Sequence, residues 1–255
     1  DLHYLREQRA AKLSGSTEMA RAAEKTRDKE LALIRNSDIT LVVSPVEKEL
    51  LSQDAPGARV DVLSNVHEVF GRRRDFAERA DIMFVGGYQH PPNVDAAIWF
   101  TNDILPLIRA ELPDLRFHLI GSKAPAEVKA LGKLPGVEFH GFVESIEPFL
   151  DDCRLAVAPL RYGAGVKGKV NMSMSYGQPV VGTPIATEGM FAEAGRDVLV
   201  AETPEDFAAQ VVRAYRDEAL WLQLSDNGLA NVTRHFSFES ARAAVRRLLD
   251  NGQTG

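Results

Sequence analysis

Two lysines stand where a helix is expected to begin, which is an unusual position for cations. In the stretch PLRYGAGVKGKVNMSMSYGQPVV (159–181), a glycine-rich loop leads into a helical segment whose first turn contains Lys167 and Lys169. That turn carries partial positive charge and usually attracts acidic side chains. A bound anion would relieve the repulsion and would accept hydrogen bonds from the free N–H groups of the turn. The pattern therefore favours a phosphate or pyrophosphate site over the alternative of two solvated lysines.

Glycines near these lysines would let a phosphate approach the backbone. Gly165 lies in the same loop, Gly86 and Gly87 end the predicted strand DIMFVGG, and Gly121 ends the predicted strand LRFHLIG. Glycine leaves this room because it has no Cβ atom. The segment GGYQHP is not a GxGxxG fingerprint, and the chain contains no GxxxxGK[ST]. Neither a dinucleotide cofactor nor a P-loop is therefore predicted.

The histidines form no metal-binding pattern in the sequence. His118 and His140 fall within predicted strands and are interpreted as satisfied core or loop residues, whereas His90 precedes two prolines in a predicted loop and is a weaker site candidate. None of the spacings matches a zinc motif, and no serine lies in a hydrolase elbow. We predict no metal and no cofactor, and we leave the catalytic residues unknown.

The elements that must position these residues alternate regularly from residue 81. The strands DIMFVGG, LRFHLIG, VEFHGFV, RLAVAPL, PVVGT and VLVAET are separated by helical segments. Continuously apolar strands that alternate with helices predict an α/β fold with a Rossmann-like, doubly wound parallel sheet. Such sheets bind ligands beyond the carboxyl ends of their strands. The glycines and lysines described above follow strands at that end.

The composition is that of a globular protein and excludes several classes. The 255 residues are 45% hydrophobic and 26% charged, which is ordinary for a globular domain, and no apolar run has the length of a membrane span. The net charge of -6 argues against general nucleic-acid binding. The one cysteine, Cys153, is expected to be buried and indicates a reducing compartment, which we take to be the cytoplasm.

The motifs from residue 84 onward occur in a familiar order. They are FVGG, PPNVDAA, FHLIGS, VEFHGFV, LAVAPLRYGAGVKGKV, MSYGQPVVGT and TEGM. This series resembles the C-terminal half of group 1 (family 4-like) glycosyltransferases. The resemblance implies a GT-B fold, in which two Rossmann-like domains face a cleft and the C-terminal one binds a nucleoside-diphosphate sugar. It also implies hexosyl-type transfer with retention of anomeric configuration.

The resemblance divides the chain into four parts. We expect residues 1–66 to be the C-terminal part of an N-terminal, acceptor-side α/β domain and residues 67–80 to be a linker. Residues 81–236 are expected to form the nucleotide-sugar-binding domain, and residues 237–255 a crossing helix and tail. Because the first part has few strands, we expect an incomplete domain and hence a fragment.

The acceptor is expected to bind mostly outside such a fragment. It is a glycan, a lipid or a small molecule, and peripheral membrane association through the missing part is compatible with this expectation. His3 is a candidate remnant of the acceptor site.

Donor contacts are also implied by the resemblance. It places Phe142 and Val143 near the nucleobase, and it places Arg161, Lys167 and Lys169 at the diphosphate.

Two residues depart from the family's pattern. The paired glutamates of the family, spaced E-x7-E, are replaced here by Ala164 and Met172. Neither side chain can hydrogen-bond a hydroxyl, so the donor ribose needs another partner. Asn171, Ser173 and Glu188 are the candidates.

Three functions are compatible with these observations. The first is a glycosyltransferase that uses a nucleoside-diphosphate sugar. The second is a non-catalytic sugar-nucleotide-binding or scaffold protein of the same fold, which the missing glutamates permit. The third is a sugar-nucleotide epimerase, which shares the architecture but has less support from the motifs.

Overall fold

The computed structural model describes residues 1–252, and all of its named strands are parallel to their neighbours. A two-stranded sheet contains β1 (Thr40–Val42) and β2 (Val60–Val62). A six-stranded sheet contains β3 (Ala80–Val85), β4 (Phe117–Ile120), β5 (Val137–Gly141), β6 (Cys153–Ala158), β7 (Val180–Gly182) and β8 (Leu199–Val200). The predicted doubly wound parallel sheet is therefore confirmed.

The order of the larger sheet fixes where a ligand can approach. The strands lie in the order β5-β4-β3-β6-β7-β8, so the chain moves outward from β3 in one direction and returns to extend the sheet in the other. The order reverses between β3 and β6, where Ile82 pairs with Leu155 and Met83 pairs with Ala156. The loops that follow these two strands diverge and leave a crevice at their carboxyl ends.

Helices cover both sheets. They are α1 (His3–Ser14), α2 (Thr17–Arg35), α3 (Pro45–Asp54), α4 (Pro91–Trp99), α5 (Leu105–Glu111), α6 (Ala126–Leu131), α7 (Glu147–Asp152), α8 (Gly168–Ser175), α9 (Pro184–Thr187), α10 (Pro204–Arg216), α11 (Glu218–Phe236) and α12 (Phe238–Gly252). Several begin at a serine or threonine whose hydroxyl caps the helix. The Ser44 hydroxyl accepts from the Glu47 N–H at 3.2 Å, and the Thr203 hydroxyl accepts from the Asp206 N–H at 3.1 Å.

The stretch NVDAAIWFTNDILPLIRAEL (93–112) has the apolar spacing of one long helix, but it contains a wider turn. Helices α4 and α5 are joined by a π-helical turn, Phe100–Ile104. Pro106 lies just beyond this turn. Its ring conflicts with the carbonyl four residues earlier, and it has no N–H to donate. A local change to π-helical spacing accommodates such a residue without ending the helix.

The main core lies between the large sheet and its helices. Phe84, Phe117, Phe207 and Trp221 are completely buried there. Cys153 is buried as expected, and burial raises the pKa of its thiol. Consecutive residues of β3 and β4 are buried, so both faces of the sheet are covered.

A buried arginine attaches the segment before β3 to this core. The Arg79 guanidinium donates to the carbonyls of Leu150 at 2.7 Å and Tyr176 at 3.2 Å. It also lies 5.4 Å from the ring centroid of Trp221. Burial lowers the pKa of Arg79.

The first 62 residues form a smaller unit around β1 and β2. Its own core contains Tyr4, Leu31, Val42 and Leu51. The Tyr4 hydroxyl donates to Asp54 at 2.6 Å, and Arg27 pairs with the same carboxylate at 2.6 Å. These contacts fix α1 and α2 against α3, and they thereby fix the face of α1 that meets the large sheet's crevice.

Within residues 1–252, no helix has both the length and the apolar character that crossing a membrane requires.

Candidate functional site

A cleft of about 930 Å³ lies between the N-terminal helices and the crevice of the large sheet. One wall is formed by α1 and α2, and the other by the loops after β3 and β6 and the start of α8. The lining residues include His3, Arg6, Glu7, His90, Asn93, Tyr162, Lys167 and Lys169. The two predicted lysines and the two weaker histidine candidates are thus brought together in one cleft.

Lys167 is the N-cap residue of α8, and its ammonium group turns back into the glycine loop. Its Nζ donates to the carbonyl of Ala164 at 3.2 Å and to the carbonyl of Gly165. The side chain does not cap the helix, and the first turn of α8 contains no acidic residue. Burial lowers the pKa of Lys167 to about 8. The helix start therefore combines unpaired N–H groups with a buried cation.

Lys169 lies two residues after Lys167, in the first turn of α8. Its Nζ donates to the Oδ1 atom of Asn93 and lies 4.3 Å from the ring centroid of Phe84. Burial lowers the pKa of Lys169 to about 7, with the charge of Lys167 as a second cause. Among the residues that the structure describes, no carboxylate forms an ion pair with either lysine. The wall therefore contains two partly desolvated lysines, neither of which forms an ion pair with a carboxylate.

Asn93 connects the lysines to the glycines that end β3. Its Nδ2 donates to the carbonyl of Gly87 at 2.8 Å. A Cβ atom on Gly86 would lie 2.9 Å from the Asn93 side chain, and a Cβ atom on Gly121 would lie 1.8 Å from the carbonyl oxygen of Gly86. Gly86 and Gly121 are thus needed for close packing at the ends of β3 and β4, and this packing positions the partner of Lys169.

Arg161 faces α4 rather than the cleft. Its guanidinium forms a bidentate ion pair with Asp95, and it lies 5.5 Å from the ring centroid of Trp99. This hydrogen-bonded pair raises the pKa of Arg161. The predicted contact of Arg161 with a diphosphate requires the guanidinium to leave Asp95, and it stays a prediction.

Glu188 is paired across the cleft. Arg9 on α1 donates to both of its carboxylate oxygens, at 2.6 and 2.8 Å, and also donates to the carbonyl of Gly163 at 2.8 Å. The pair is largely shielded from solvent, with side-chain exposures of 25% for Arg9 and 20% for Glu188. It joins α1 to two loops of the large sheet. A ribose contact from Glu188 stays a prediction.

The other two candidates for the ribose contact are buried. Asn171 and Ser173 are 0% and 1% exposed, and neither side chain has a hydrogen-bond partner among the described residues. Ser173 lines a small gap between α8 and the sheet, next to Val157 and Val180. Met172 is partly buried against the core. The polar atoms of α8 therefore lie beneath the cleft surface.

The predicted nucleobase residues follow the edge strand β5. Phe142 is 74% exposed, whereas Val143 packs partly against the core. Neither lines the cleft described above. An exposed aromatic ring at this position is available for stacking on a base, and the assignment of both residues stays a prediction.

The sequence gives little indication of three residues that shape the site. Asn93 falls inside the motif PPNVDAA, and no local feature distinguishes Asp95 from other surface acids. Arg9 lies in an arginine-rich helix whose register against the sheet cannot be derived from a helical pattern. A usable signal for Asn93 was its position after two prolines in a loop that follows a strand.

The sequence that forms this site matches the model of a known protein family. The model described as glycosyl transferases group 1 matches residues 79–217, which is more than half of the chain. The chain therefore belongs to the group 1 glycosyltransferases.

Relatives at lower similarity have the same architecture. An uncharacterized 44.6 kDa protein in the cps region of Klebsiella pneumoniae is 21% identical over 173 residues, which are 65% of this chain and 45% of that protein. A point mutant of TarM from S. aureus, solved with fondaparinux, alpha-GlcNAc-glycerol and UDP, has a TM-score of 0.76 at 15% identity, covering 88% of this chain and 46% of that one.

Two further solved structures extend the comparison. Sucrose-phosphate synthase from Thermosynechococcus elongatus has a TM-score of 0.73 at 17% identity, covering 91% of this chain and 62% of that one. HepE from Anabaena, solved with UDP and glucose, has a TM-score of 0.71 at 14% identity, covering 89% of this chain and 67% of that one. These likenesses establish the GT-B fold. The chain spans less than half the length of the Klebsiella protein and of TarM.

Proposed function

We propose that this chain provides the donor-binding part of a glycosyltransferase that moves a sugar from a nucleoside-diphosphate sugar to an acceptor hydroxyl. The observation that carries the proposal is the pair Lys167 and Lys169, two partly desolvated cations at the N-terminus of α8 that line a cleft without a carboxylate partner. The complexes of TarM and HepE with UDP support the same class of ligand.

The leaving diphosphate is the group that this wall is suited to stabilise. As the bond to the sugar breaks, negative charge develops on the diphosphate oxygens. Fixed cations and free N–H groups in a water-poor cleft stabilise such charge without reorganising. Lys167, Lys169 and the first turn of α8 fill that role, and Arg161 joins them if it leaves Asp95. The family resemblance adds retention of anomeric configuration and a base contact at Phe142 and Val143.

The replacement of the paired glutamates favours a second candidate function. The side chains of Ala164 and Met172 offer no hydrogen bond to a donor sugar or ribose, and those of Asn171 and Ser173 are buried. A protein that binds sugar nucleotides without turning them over has the same lysine wall and does not need those glutamates. Donor binding is common to both functions, and turnover distinguishes them.

Calorimetry with UDP, GDP and ADP tests the binding step. Each lysine makes a charge-assisted contact, so Lys167→Met and Lys169→Met should each weaken the preferred nucleoside diphosphate by roughly 10- to 100-fold. Lys129→Met, which removes an exposed lysine on α6, is the matched control and should bind normally. Equal affinity in all three variants would remove the lysine wall from the proposal.

Turnover is then measured with the matching sugar nucleotides and a panel of glycan, lipid and small-molecule acceptors. Release of the nucleoside diphosphate with transfer of the sugar supports the glycosyltransferase. Tight binding without release supports the non-catalytic alternative.

A further inference from the structure

A second cluster of polar side chains lies on one face of the sheet, outside the cleft. His118 on β4 is the register partner of Glu138 on β5, so the two side chains point to the same face. His140 follows two residues after Glu138 and shares that face. His118 is buried at 8% exposure, whereas the side chains of Glu138 and His140 are 38% and 27% exposed. The cluster is therefore anchored in the sheet and open to solvent on one side.

A β-bulge places His140 against His118. Leu119 pairs with Phe139, but the next residue, Ile120, pairs with Gly141. His140 is thus the extra residue of the bulge, and bulges re-aim side chains within a sheet. The result is a distance of 2.9 Å between the Nδ1 atom of His118 and the Nε2 atom of His140.

The three side chains converge at a spacing that suits a metal ion. The Oε2 atom of Glu138 lies 3.5 Å from the Nδ1 atom of His118 and 3.8 Å from the Nε2 atom of His140. With 2.9 Å between the two nitrogens, a point equidistant from all three atoms lies about 2.0 Å from each, which is the length of a zinc–imidazole bond. We propose that His118, Glu138 and His140 form a binding site for a divalent transition metal ion.

The surrounding charges favour a cation at this point. Two carboxylates, Asp81 and Glu138, face one guanidinium, that of Arg116. Arg116 binds the Oε1 atom of Glu138 at 3.1 Å, which leaves Oε2 directed toward the histidines. The same guanidinium lies 2.8 Å from Asp81. One negative charge is left over, which offsets half of the charge of a divalent ion.

Asp81 also stands where metal sites place a supporting group. Its Oδ2 atom lies 3.5 Å from the Nε2 atom of His118, on the side of the ring away from the proposed ion. A carboxylate behind a ligating histidine fixes the ring and directs its other nitrogen to the metal. Asp81 is held by the Arg116 N–H at 2.9 Å, and it has a positive φ of 65°.

The metal competes with a hydrogen bond between the rings. At 2.9 Å the two facing nitrogens are hydrogen-bonded, so one of them carries a proton. Binding requires that proton to leave, either to solvent or to the ring nitrogen that faces away from the ion, so that both facing nitrogens present lone pairs. Phe149 packs edge-on against both rings.

The ligand set indicates the class of metal. Two imidazoles and one carboxylate suit Zn²⁺ and related ions such as Co²⁺, whereas Mg²⁺ and Ca²⁺ prefer oxygen ligands. A solvent molecule completes the coordination on the exposed side. The ion would tie the edge strand β5 to β4.

Titration of the metal-free full chain tests the proposal. Co²⁺ should bind with one equivalent and give the intense visible absorption of four-coordinate cobalt, and Zn²⁺ should displace it. His140→Gln should lower the affinity at least tenfold. Asp81→Asn should lower it by about 10- to 100-fold, as expected for loss of an outer partner. His235→Gln, which alters a partly exposed histidine on α11, is the control and should bind as the wild type does.

Circular dichroism and nucleoside-diphosphate binding confirm that each variant is folded. If His118→Gln does not fold, the partly exposed His140 decides the result. Retention of wild-type metal affinity by His140→Gln would overturn the proposal. So would a wild-type chain that gives no tetrahedral cobalt spectrum. Neither outcome bears on donor binding, because the cluster lies outside the cleft.

Discussion

At the scale of single residues, the environment of Lys169 is expected to lower the free energy of unfolding. Its ammonium group is partly desolvated beside Lys167, and its hydrogen-bond partner is the neutral Asn93. A protein retains a buried cation in such a position when the ligand supplies the missing charge. The fold is therefore expected to be less stable with this lysine than without it.

Replacement of Lys169 by methionine tests that cost. The pKa of Lys169 is about 7 in the folded chain, against an ordinary value of 10.5 for lysine. Between these pH values the unfolded chain binds more protons, so the lysine's destabilising effect is complete below pH 7 and fades toward pH 10.5. Lys169→Met should raise the free energy of unfolding by about 1–4 kcal/mol at pH 7, with a smaller gain at pH 10.

Denaturant titrations at several pH values measure this difference, with Lys129→Met as the control. A variant less stable than the wild type at pH 7 would mean that the Lys169 stem and its contacts hold the fold together.

At the scale of elements, the packing at the ends of β3 and β4 positions Lys169 through Asn93. Gly121 has a φ of 149°, and a Cβ atom there would overlap the carbonyl of Gly86. Asn93 packs against Gly86 and binds Lys169. A change at Gly121 thus reaches the lysine through two intermediate contacts.

Gly121→Ala should destabilise the chain by about 3 kcal/mol or more, because overpacking adds to backbone strain. Gly195→Ala is a suitable control, since Gly195 also has a positive φ, 81°, but its Cβ position is open. The difference between the two melting curves isolates the overlap. Similar losses of stability in both variants would show that the backbone at Gly86 shifts to admit the added Cβ atom at little cost.

The elements also show what a sequence can predict. The six strands of the large sheet follow from continuous apolar runs that alternate with helices, and the caps at Ser44 and Thr203 act within three residues. The π-helical turn before Pro106 does not follow from the sequence, because the helical spacing of apolar residues continues through it. The His118–Glu138–His140 cluster has no spacing signal, since strand register and a bulge bring its members together.

Prediction of the site residues was likewise limited to features that are local in sequence. Lys167 and Lys169 can be selected from the sequence because the unfavourable pairing of cation and helix start is local, and the structure places both in one cleft. Their contact with a diphosphate stays a prediction. The partners of Arg161 and Glu188 were not found, because Asp95 and Arg9 are distant in sequence and depend on how helices pack on the sheet.

At the scale of the whole molecule, one ion pair joins the N-terminal unit to the large sheet. Within the described residues, Arg9–Glu188 is the one salt bridge between residues 1–66 and residues 79–217. It is bidentate and mostly shielded, so it should be stronger than an ordinary surface pair. The pair therefore helps set how closely α1 approaches the glycine loop.

A double-mutant cycle with Arg9→Gln and Glu188→Gln should give a coupling energy of about 1 kcal/mol, decreasing as salt is added. The pair Lys48–Asp61 is the reference, because it is longer at 3.3 Å and its side chains are 48% and 39% exposed. Its coupling should be a few tenths of a kcal/mol. A coupling for Arg9–Glu188 no larger than that of the reference would show that this ion pair adds nothing to the other contacts between the two units, among them the hydrogen bond from Asn65 to the Val166 carbonyl.

The buried state of Cys153 makes the chain convenient for site-specific spectroscopy. It is the one thiol in the sequence, and both its burial and its raised pKa protect it from maleimides at neutral pH. A cysteine introduced at the exposed position Ser145 could therefore carry a single fluorophore while Cys153 and Phe142 stay in place. The emission of that fluorophore would test in real time whether a nucleotide reaches the loop after β5.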